Sequence, residues 1–239
     1  MNIAVIFAGG TGHRMNTKTR PKQFLELHGK PILVYTLEQF QHHKEIDGII
    51  LVILESWMEH CTILIERYHL TKVKGIVSGG ASAQESIYHG LAKAQELFPS
   101  DSIVLIHDGV RPLIDEETIS KNIECVKENG SAITVTSATE TIAIRGESER
   151  VGQIVDRKKC QMAKAPQSFY LKDILDANHK AHHDGQKEFI DCASIMQYYG
   201  YPLYTVEGKP ENIKITTPED FYIFRAFVDI RENAQIFGF

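Results

Sequence analysis

The first apolar run of the sequence ends in a segment that combines glycines with positive charges. Ile3–Phe7 leads directly into AGGTGHRM, which contains three glycines and Arg14, and Pro21 and Lys22 follow soon after. Glycines at the end of a strand let backbone N–H groups approach a phosphate closely, and the cations would neutralise it. The segment lacks the spacing of a dinucleotide-binding fingerprint or of a P-loop. A polyphosphate site and a tight turn with solvated cations are the two interpretations, and the stiff Pro21 beside Lys22 favours the first.

Two further apolar runs end in the same kind of loop. SGGAS follows Lys74–Val77, and HDGVRP follows Ser102–Ile106. In open α/β sheets, ligands bind outside the carboxyl ends of the strands. We therefore expect the three loops to meet at one crevice, with Asp108 of the third loop at the end of its strand.

The elements that must position these loops alternate between short Ile- and Val-rich runs and longer segments of helical period. This alternation is typical of stacked βαβ units, and the nearly continuous apolar character of each strand fits a sheet covered on both faces. The sequence therefore predicts an α/β fold with a Rossmann-like, doubly wound, mostly parallel sheet. The predicted strands are Ile3–Phe7, Gly48–Leu54, Lys74–Val77, Ser102–Ile106 and Ser131–Val135, and the predicted helices are Pro31–His42, Trp57–Tyr68, Gln84–Leu97 and Asp115–Asn129.

The stretch from about Ser137 to Ala163 does not follow this alternation of strands and helices. It alternates in short pieces, with a turn near Gly146 and Glu147, which predicts a two-stranded β-arm instead of a further βα unit. Because an isolated hairpin is only marginally stable, we expect the arm to pack against something, such as a second subunit. Since no internal repeat or linker is evident, residues 1–239 are interpreted as a single domain with this projecting arm.

Charge, hydrophobicity and cysteine content argue against a nucleic-acid-binding, membrane-spanning or secreted protein. The 239 residues carry a net charge of −5, so no basic face for nucleic acid is indicated, and no apolar run reaches the ~18 residues of a membrane span. The sequence opens without the pattern of a signal peptide, and its four widely spaced cysteines indicate reduced thiols. A cytoplasmic protein is therefore expected. The doublets His42-His43 and His182-His183 lack metal-ligand spacing and are interpreted as solvated surface.

Six segments together resemble one family of enzymes. AGGTGHRM…PKQF, SGGASAQESIYHGL, VLIHDGVRP, ATETI, DRKKCQMAKAPQSF and ENIKITTPEDF occur in this order. The sequence thus resembles the nucleotidyltransferases that make CDP-alditols, which include the methylerythritol 4-phosphate and the ribitol 5-phosphate cytidylyltransferases. The resemblance implies that an alditol phosphate attacks the α-phosphorus of CTP and releases pyrophosphate. A phosphate monoester is already largely anionic at neutral pH, since its second pKa is about 6. The reaction therefore needs charge neutralisation and in-line positioning instead of a general base.

The resemblance assigns two sets of residues to the nucleotide. Arg14, Lys22 and Lys214 would neutralise the triphosphate and the charge that develops on the pentacoordinate phosphorus. Ser86 is equally well placed to cap a helix, and Lys214 taken alone would be a solvated lysine. The residues implied to bind the nucleotide are Ala8, Gly9, Gly10, Thr11, Gly12, Gly79, Gly80, Ser86, Asp108 and Gly109.

The same resemblance implies Mg²⁺ as the cofactor. Asp108 would be the principal metal ligand, with the ion bridging phosphate oxygens, although a lone aspartate in such a loop is more often a turn former. Glu211 stands where the methylerythritol enzymes carry an aspartate, and it is the candidate for a second ligand.

Contacts to the acceptor are implied for Arg111, Thr141, Arg157 and Asp191. Arg111 would chiefly organise the loop that carries Asp108. Thr141 and Arg157 lie on the predicted arm, and in the family such residues reach the acceptor phosphate across a dimer interface, which implies a homodimer. A guanidinium suits bidentate binding of a phosphate. For Arg157, a surface arginine on a hairpin is the equally weighted alternative.

Four departures from the methylerythritol pattern bear on the acceptor. Ala83, Ala165, Ile190 and Gly109-Val110 stand where that pattern has an arginine, a threonine, a threonine and a pair of alanines. AGG in the first loop and the valine of HDGVRP are more similar to the ribitol 5-phosphate enzymes. D-ribitol 5-phosphate is therefore the expected acceptor, which implies a supply of CDP-ribitol for cell-surface polymers. Methylerythritol 4-phosphate, an acceptor of isoprenoid biosynthesis, is the alternative.

Two other classes of protein are alternatives to an active cytidylyltransferase. Ala83 favours a catalytically silent nucleotide-binding subunit, whereas Arg14, Lys22, Asp108 and Lys214 together oppose it, because buried like charges without a ligand are costly. A dinucleotide-dependent oxidoreductase is disfavoured, since the required glycine spacing is missing.

Overall fold

The structure is a computed structural model that describes residues 1–9, 20–186 and 189–237, with side chains described as far as Asn233. Its strands are β1 (Asn2–Phe7), β2 (Glu26–Leu27), β3 (Lys30–Pro31), β4 (Gly48–Ile53), β5 (Val73–Ser78), β6 (Ile103–Asp108), β7 (Ser131–Ser137), β8 (Ile142–Arg145), β9 (Val151–Val155), β10 (Gln161–Tyr170) and β11 (Thr205–Glu207). Its helices are α1 (Ile32–His42), α2 (Met58–Arg67), α3 (Ala83–Leu97), α4 (Glu116–Asn129), α5 (Leu171–His183), α6 (Cys192–Tyr198) and α7 (Pro218–Phe237).

Within these ranges, seven strands form one sheet in the order β11-β7-β10-β6-β1-β4-β5. β1 pairs in parallel with β4 and β6, and the pairs β4–β5 and β7–β11 are also parallel. β10 runs antiparallel to both of its neighbours, β6 and β7. The predicted α/β fold with a doubly wound, mostly parallel sheet is confirmed, and β10 makes that sheet mixed.

The central strand β1 shows how both faces of the sheet are covered. Ala4 and Ile6 pack with side chains of α1, α2 and α4 on one face, whereas Ile3 and Val5 pack with side chains of α3, α5 and α6 on the other. All four side chains are fully buried. Because successive side chains of a strand point to opposite faces, this uninterrupted apolar run holds two helical layers and places the end of β1 between them.

Gly90 sets the distance between α3 and the sheet. A Cβ atom at this position would lie 2.6 Å from Cγ1 of Val5 and 2.7 Å from Cγ2 of Val52, so the helix packs this closely only with glycine. Ser82 starts the helix, because its hydroxyl accepts a hydrogen bond of 3.0 Å from the backbone N–H of Glu85. The N-terminus of α3 is thereby fixed beside the carboxyl end of β5.

The predicted arm is present but shorter than predicted. Gln161 pairs with Ser137, so both ends of the stretch from Ser137 to Ala163 belong to the main sheet, and the chain leaves that sheet only over residues 138–160. The excursion contains the antiparallel strands β8 and β9, which form a two-stranded sheet of their own. The sequence pattern does not predict β10 as a strand. Its register shifts between Ala163 and Gln167, and this shift interrupts the alternation of a regular strand.

The prediction of a solvated surface is wrong for His43. This side chain is buried, with its Nε2 atom 3.0 Å from Oγ of Ser120, and its Nδ1 atom accepts a hydrogen bond of 3.2 Å from the backbone N–H of Glu45. The polar partners explain how a histidine at the end of α1 can be buried against α4.

The four cysteines are free thiols, as predicted. In the described part of the chain, no helix has the length and apolar character needed to cross a membrane.

Candidate active site

The carboxyl ends of β1, β5 and β6 border a cleft of about 430 Å³, which we call the glycine cleft. A second cavity of about 190 Å³, the side pocket, shares four lining residues with it. The glycine cleft is lined by Phe7, Ala8, Gly9, Lys22, Gln23, Leu54, Gly80, Ala81, Ser82, Ala83, Ser86, Asp108, Val110 and Lys214. The side pocket is lined by Phe7, Ala83, Ile87, Ile106, Asp108, Arg111, Ala163, Lys164, Ala165, Gln167, Ile190, Asp191, Cys192 and Lys214. The expected convergence of three strand ends is confirmed.

The loop after β5 packs directly on the loop after β1. A Cβ atom at Gly9 would lie 3.9 Å from Cα of Gly79 and 3.5 Å from Oγ of Ser86. The buried hydroxyl of Ser86 accepts a hydrogen bond of 3.0 Å from the N–H of Gly80 and donates one of 2.8 Å to the carbonyl of Ser82. Ser86 therefore braces the glycine loop from inside α3, whereas the helix cap that was its alternative role belongs to Ser82.

Close backbone packing also joins the ends of β1 and β6. The N–H of Gly109 donates a hydrogen bond of 2.9 Å to the carbonyl of Phe7. A Cβ atom at Gly109 would lie 2.7 Å from Cβ of Ala8, so a larger residue would push the two loops apart. The contact leaves Asp108 facing the cleft at the last position of β6.

Asp108 is a buried carboxylate held between two cations. Its Oδ1 atom lies 2.5 Å from Nζ of Lys214, and its Oδ2 atom accepts a hydrogen bond of 3.2 Å from Nε of Arg111. Burial opposes the ionised form, but the charges of Arg111 and Lys214 outweigh it and lower the pKa of Asp108 below its usual value. Arg111 also donates a hydrogen bond of 2.7 Å to the carbonyl of Asn212, so it ties β6 to the segment that carries Lys214.

Lys22 reaches the same cleft from the other end of the sequence. Its Nζ atom donates a hydrogen bond of 3.0 Å to the carbonyl of Ile215, 193 positions away. The neighbouring Gln23 is buried and donates a hydrogen bond of 2.6 Å to the carbonyl of Ala8. Lys22 and Lys214 are thereby brought to one cavity, as predicted from the cations in distant segments. Arg14, Gly10, Thr11 and Gly12 lie outside the described residues.

Asp191 occupies the side pocket with both carboxylate oxygens engaged. As the N-cap of α6, it accepts a hydrogen bond of 2.9 Å from the N–H of Ser194 on Oδ1. Its Oδ2 atom accepts a hydrogen bond of 2.8 Å from Nε2 of Gln167, whose own Oε1 accepts one of 2.9 Å from the N–H of Ala193. Gln167, which the sequence analysis missed, therefore fixes the orientation of Asp191 toward the pocket.

The two acceptor residues predicted on the arm do not line either cavity of their own chain. Thr141 and Arg157 are both exposed, and Arg157 donates a hydrogen bond of 2.9 Å to the carbonyl of Thr139 within the arm. The structure therefore brings Arg111 and Asp191 together with the strand-end residues, but it does not bring Thr141 and Arg157 there.

The residues at the carboxyl end of β6 include one that suits Mg²⁺. Asp108 fits, because it is an ionised carboxylate that faces a cavity large enough for phosphates, and Mg²⁺ is commonly held by one or two carboxylates and substrate phosphates. Glu211 lines neither cavity, and its Oε2 atom is buried without a hydrogen-bond partner among the described residues, so its role as a second ligand stays a prediction. Among the described residues, three metal-ligand atoms come close together only at His28, Asp229 and Glu232, none of which lines either cavity.

His107, one residue before Asp108, is a further buried group that the sequence analysis missed. Its Nε2 atom lies 3.0 Å from the carbonyl of Arg111 and must donate to it, since a carbonyl only accepts. Burial is the main reason why the pKa of His107 is lowered to about 4, so the ring is neutral at pH 7. The histidine thus closes the turn that carries Asp108 and Arg111. No spacing in the sequence distinguishes it from an apolar strand residue.

One protein-family model, described as IspD: 2-C-methyl-D-erythritol 4-phosphate cytidylyltransferase, matches residues 2–229 of this chain. A ribitol-5-phosphate cytidylyltransferase from Streptococcus agalactiae serotype V is 52% identical over 238 residues, which cover 100% of this chain and 99% of that protein. A 2-C-methyl-D-erythritol 4-phosphate cytidylyltransferase from Clostridium botulinum is 38% identical over 222 residues, which cover 93% of this chain and 95% of that protein.

A solved structure is similar to this chain over nearly its whole length. The crystal structure of 4-diphosphocytidyl-2C-methyl-D-erythritol synthase from Anaerococcus prevotii superposes with a TM-score of 0.82 at 29% identity, and it covers 95% of this chain and 96% of that one. The fold of this chain is therefore similar to that of a solved protein over nearly its whole length.

Proposed function

The chain belongs to the IspD family of cytidylyltransferases, and we propose that it joins CTP to D-ribitol 5-phosphate, with CDP-ribitol and pyrophosphate as products. The nucleotidyl transfer follows from the family. The choice of acceptor is supported by the ribitol 5-phosphate enzyme from S. agalactiae, which is more similar to this chain than the methylerythritol enzyme from C. botulinum. Since CTP is a cytoplasmic metabolite, we place the reaction in the cytoplasm.

One observation carries this proposal: Lys22 and Lys214, from opposite ends of the sequence, reach one cavity beside Asp108. A triphosphate and an alditol phosphate repel each other, so bringing them together requires fixed positive charge. Lys22 and Lys214 supply this charge at the α-phosphate, and Arg14, which lies outside the described residues, is proposed to join them. Such preorganised charges stabilise the transition state because they need no rearrangement when the reaction begins.

We assign the cytidine part of CTP to the loops around the glycine cleft. Ala8, Gly9, Gly79 and Gly80 offer backbone groups without bulky side chains, and Ser86 braces the second loop from behind. Gly109 holds the loops of β1 and β6 together. Gly10, Thr11 and Gly12 continue the first loop in the sequence, and we propose that they wrap the phosphates.

The chemistry requires no proton acceptor from the protein. The second pKa of a phosphate monoester is about 6, so the attacking oxygen of the acceptor is already anionic at neutral pH. The oxygen attacks the α-phosphorus of CTP, the new P–O bond forms as the bond to pyrophosphate breaks, and pyrophosphate leaves opposite the attacking oxygen. The side pocket meets the glycine cleft at Asp108 and Lys214, and we propose that the two reactants lie end to end across this junction.

Asp108 is the residue that would hold Mg²⁺ against the phosphate oxygens. When bound, the ion neutralises phosphate charge and polarises the P–O bonds. Within the protein, Arg111 orients Asp108 through its hydrogen bond to Oδ2. Lys214 is positioned by its ion pair with Oδ1. Glu211 is not assigned to this ion, because it lines neither cavity.

The acceptor is proposed to occupy the side pocket, where Arg111 and Asp191 lie. Thr141 and Arg157 are proposed to complete this site from the β-arm of a second subunit, since they line no cavity with Asp191 in their own chain. The arm carries exposed apolar side chains at Ile144, Val151 and Ile154, which a homodimer interface would cover.

Pyrophosphate release from CTP tests this function directly. The purified chain is incubated with CTP, Mg²⁺ and either D-ribitol 5-phosphate or 2-C-methyl-D-erythritol 4-phosphate, with EDTA in a parallel reaction. We expect a higher kcat/KM with ribitol 5-phosphate and no turnover in EDTA. A higher kcat/KM with methylerythritol 4-phosphate would assign the chain to isoprenoid biosynthesis. CTP binding without pyrophosphate release from either acceptor would favour the silent nucleotide-binding subunit.

A further inference from the structure

An irregularity in β10 places three consecutive residues at the side pocket. In a regular strand, successive side chains point to opposite faces, yet Ala163, Lys164 and Ala165 all line this cavity. The register of β10 against β7 shifts between Ala163 and Gln167, where the strand deviates from regular pairing. Such irregularities are frequent beside active sites because they redirect a side chain. Lys164 is the charged residue of this irregular stretch.

Lys164 is held in this position by the segment that precedes Lys214. Its Nζ atom donates a hydrogen bond of 2.9 Å to the carbonyl of Pro210. Burial, and then the charge of Arg111, lower the pKa of the Lys164 ammonium from its usual value. An ammonium carries three donors, and the Pro210 carbonyl accepts from one of them. Lys164 lines the side pocket and not the glycine cleft, whereas Asp108 and Lys214 at the junction line both cavities.

The partners of Lys164 differ from those of the other charged groups in the pocket. Arg111 and Lys214 both contact the carboxylate of Asp108, and Asp191 is engaged by Gln167 and by the cap of α6. Within the described parts of the chain, Lys164 makes its hydrogen bond to a neutral carbonyl instead of to a carboxylate. The nearby carboxylate of Glu211 opposes the lowering of the Lys164 pKa only in part, whereas Arg111 and Lys214 each contact a carboxylate directly.

We propose that Lys164 determines the specificity for the acceptor by donating hydrogen bonds to the hydroxyl groups of the polyol farthest from its phosphate. This inference rests on the proposed function. The acceptor phosphate must reach the junction at Asp108 and Lys214 to attack CTP, so the carbon chain extends from there into the side pocket. Ala83, Ala163, Ala165 and Ile190 line that space without any side-chain donor. The amide of Gln167 already donates to Asp191, whereas Lys164 offers an ammonium to the polyol hydroxyls.

The consequence for selectivity follows from hydrogen-bond energetics. A site built to hydrogen-bond a substrate hydroxyl discriminates strongly against analogues that lack it, because its own polar group is then left unpaired. Ribitol 5-phosphate carries a hydroxyl on every carbon except the phosphorylated one. sn-Glycerol 3-phosphate shares the phosphate end but lacks the two distal hydroxylated carbons. It therefore separates recognition of the distal hydroxyls from recognition of the phosphate.

The test compares Lys164→Met with the wild type in the complete protein. Methionine keeps the length of the side chain and removes its donors. Steady-state kinetics give the KM values for CTP and ribitol 5-phosphate, and glycerol 3-phosphate is measured as a competing ligand. We expect the KM for ribitol 5-phosphate to rise about tenfold, with the KM for CTP and the inhibition constant of glycerol 3-phosphate changed less than about twofold.

Lys72→Met is the matched control for loss of a half-buried lysine. Nζ of Lys72 also donates to a carbonyl, that of His43, at 2.6 Å, and Lys72 lines neither cavity. This variant leaves the same kind of unpaired carbonyl and is expected to keep both KM values. A change at Lys72→Met equal to that at Lys164→Met would show a general structural effect and overturn the proposal.

Two further outcomes contradict the role of Lys164 and are distinguishable from failure of the function. An unchanged KM for ribitol 5-phosphate in Lys164→Met would show that the ammonium does not bind the acceptor. An equal loss of affinity for ribitol 5-phosphate and glycerol 3-phosphate would place the ammonium at the shared phosphate. If the wild type itself releases no pyrophosphate with ribitol 5-phosphate, the proposed function is wrong and the assignment of Lys164 is wrong with it.

Discussion

The glycine cleft and the β-arm carry the two halves of the proposed site. They differ in burial, since Asp108 of the cleft is buried whereas Val151 and Ile154 of the arm are exposed. Asp108, which lines the cleft, is 5% exposed, and Arg111, which holds it from the side pocket, is 8% exposed. Each has charged or backbone partners. In the arm, Val151 is 65% exposed and Ile154 is 59% exposed, and Arg157 is an exposed residue that contacts the backbone of its own hairpin.

This difference shows which half a single chain completes. The cleft fixes its charged groups through the sheet, so they are in place before a substrate arrives. The arm presents cations and apolar side chains that line neither cavity of its own chain, which is expected of a segment that acts on a second copy. The following predictions test this division, from the largest expected effect to the smallest.

Removal of the Lys214 ammonium is expected to have the largest effect. Lys214→Ala should lower kcat by about 10²–10³-fold, because a preorganised charge at the reacting phosphate is lost. Lys209→Ala is the matched control, since Nζ of Lys209 also pairs with an aspartate, Asp115, at 2.6 Å, in the same segment but outside both cavities. Initial rates of pyrophosphate release measure both variants. A kcat for Lys214→Ala within about threefold of the control would separate this lysine from the chemistry.

A second prediction concerns stability and tests whether the cleft is part of the core. The pKa of His107 is lowered to about 4 by burial, so the folded protein keeps the ring neutral at a pH where the unfolded chain protonates it. The stability that comes from this neutral ring is complete above pH ~6.5 and is lost as the pH falls toward 4. Between pH 6.5 and pH 5, the free energy of unfolding should fall by about 2 kcal/mol from this group.

His107→Gln isolates this contribution from that of other titrating groups. Glutamine can donate to the Arg111 carbonyl but does not titrate. Urea unfolding at pH 6.5 and pH 5 should therefore show a smaller difference for the variant than for the wild type, whereas Arg157→Ala, in the arm, should retain the wild-type difference. Equal pH dependence in the wild type and in His107→Gln would argue that the histidine is accessible to protons in the folded protein.

The smallest of the three effects is expected in the arm. Arg157→Ala should raise the KM for ribitol 5-phosphate about tenfold and leave kcat nearly unchanged, because the arginine is proposed to hold the acceptor phosphate and not the reacting nucleotide. Arg150→Ala serves as the control within the arm, at an exposed arginine. A fall in kcat with an unchanged acceptor KM would indicate that the roles of arm and cleft are reversed.

Much of the fold could be predicted because its signals are local. Apolar runs and helical periods along the chain predicted the central strands and α1–α4. The glycines after β1 and β5, with Asp108 at the end of β6, predicted where the strand ends meet. β10 was missed as a strand because its alternation is broken between Ala163 and Gln167. The antiparallel pairing that it adds depends on long-range contacts that no local pattern encodes.

The site was predictable where a charged residue lies in a recognisable segment, and it was not where a residue acts through tertiary contacts. Lys22 and Lys214 were assigned from the resemblance, but their meeting depends on a hydrogen bond between segments far apart in the sequence. Gln23, His107 and Gln167 became evident only through their buried hydrogen bonds. In the sequence alone, Gln23 and Gln167 resemble ordinary polar residues, and His107 continues an apolar strand without any spacing that marks it.

The most direct test of the central claim combines the two halves from different subunits. Lys214→Ala and Arg157→Ala chains carrying different affinity tags are produced together, and the mixed dimer is purified through both tags. If the arm of one subunit completes the cleft of the other, each mixed dimer contains one site with both residues intact and one with neither. We predict about half of the wild-type rate at low ribitol 5-phosphate, well above the mean of the two parent variants. A mixed dimer no more active than that mean would contradict the claim that a second subunit completes the site.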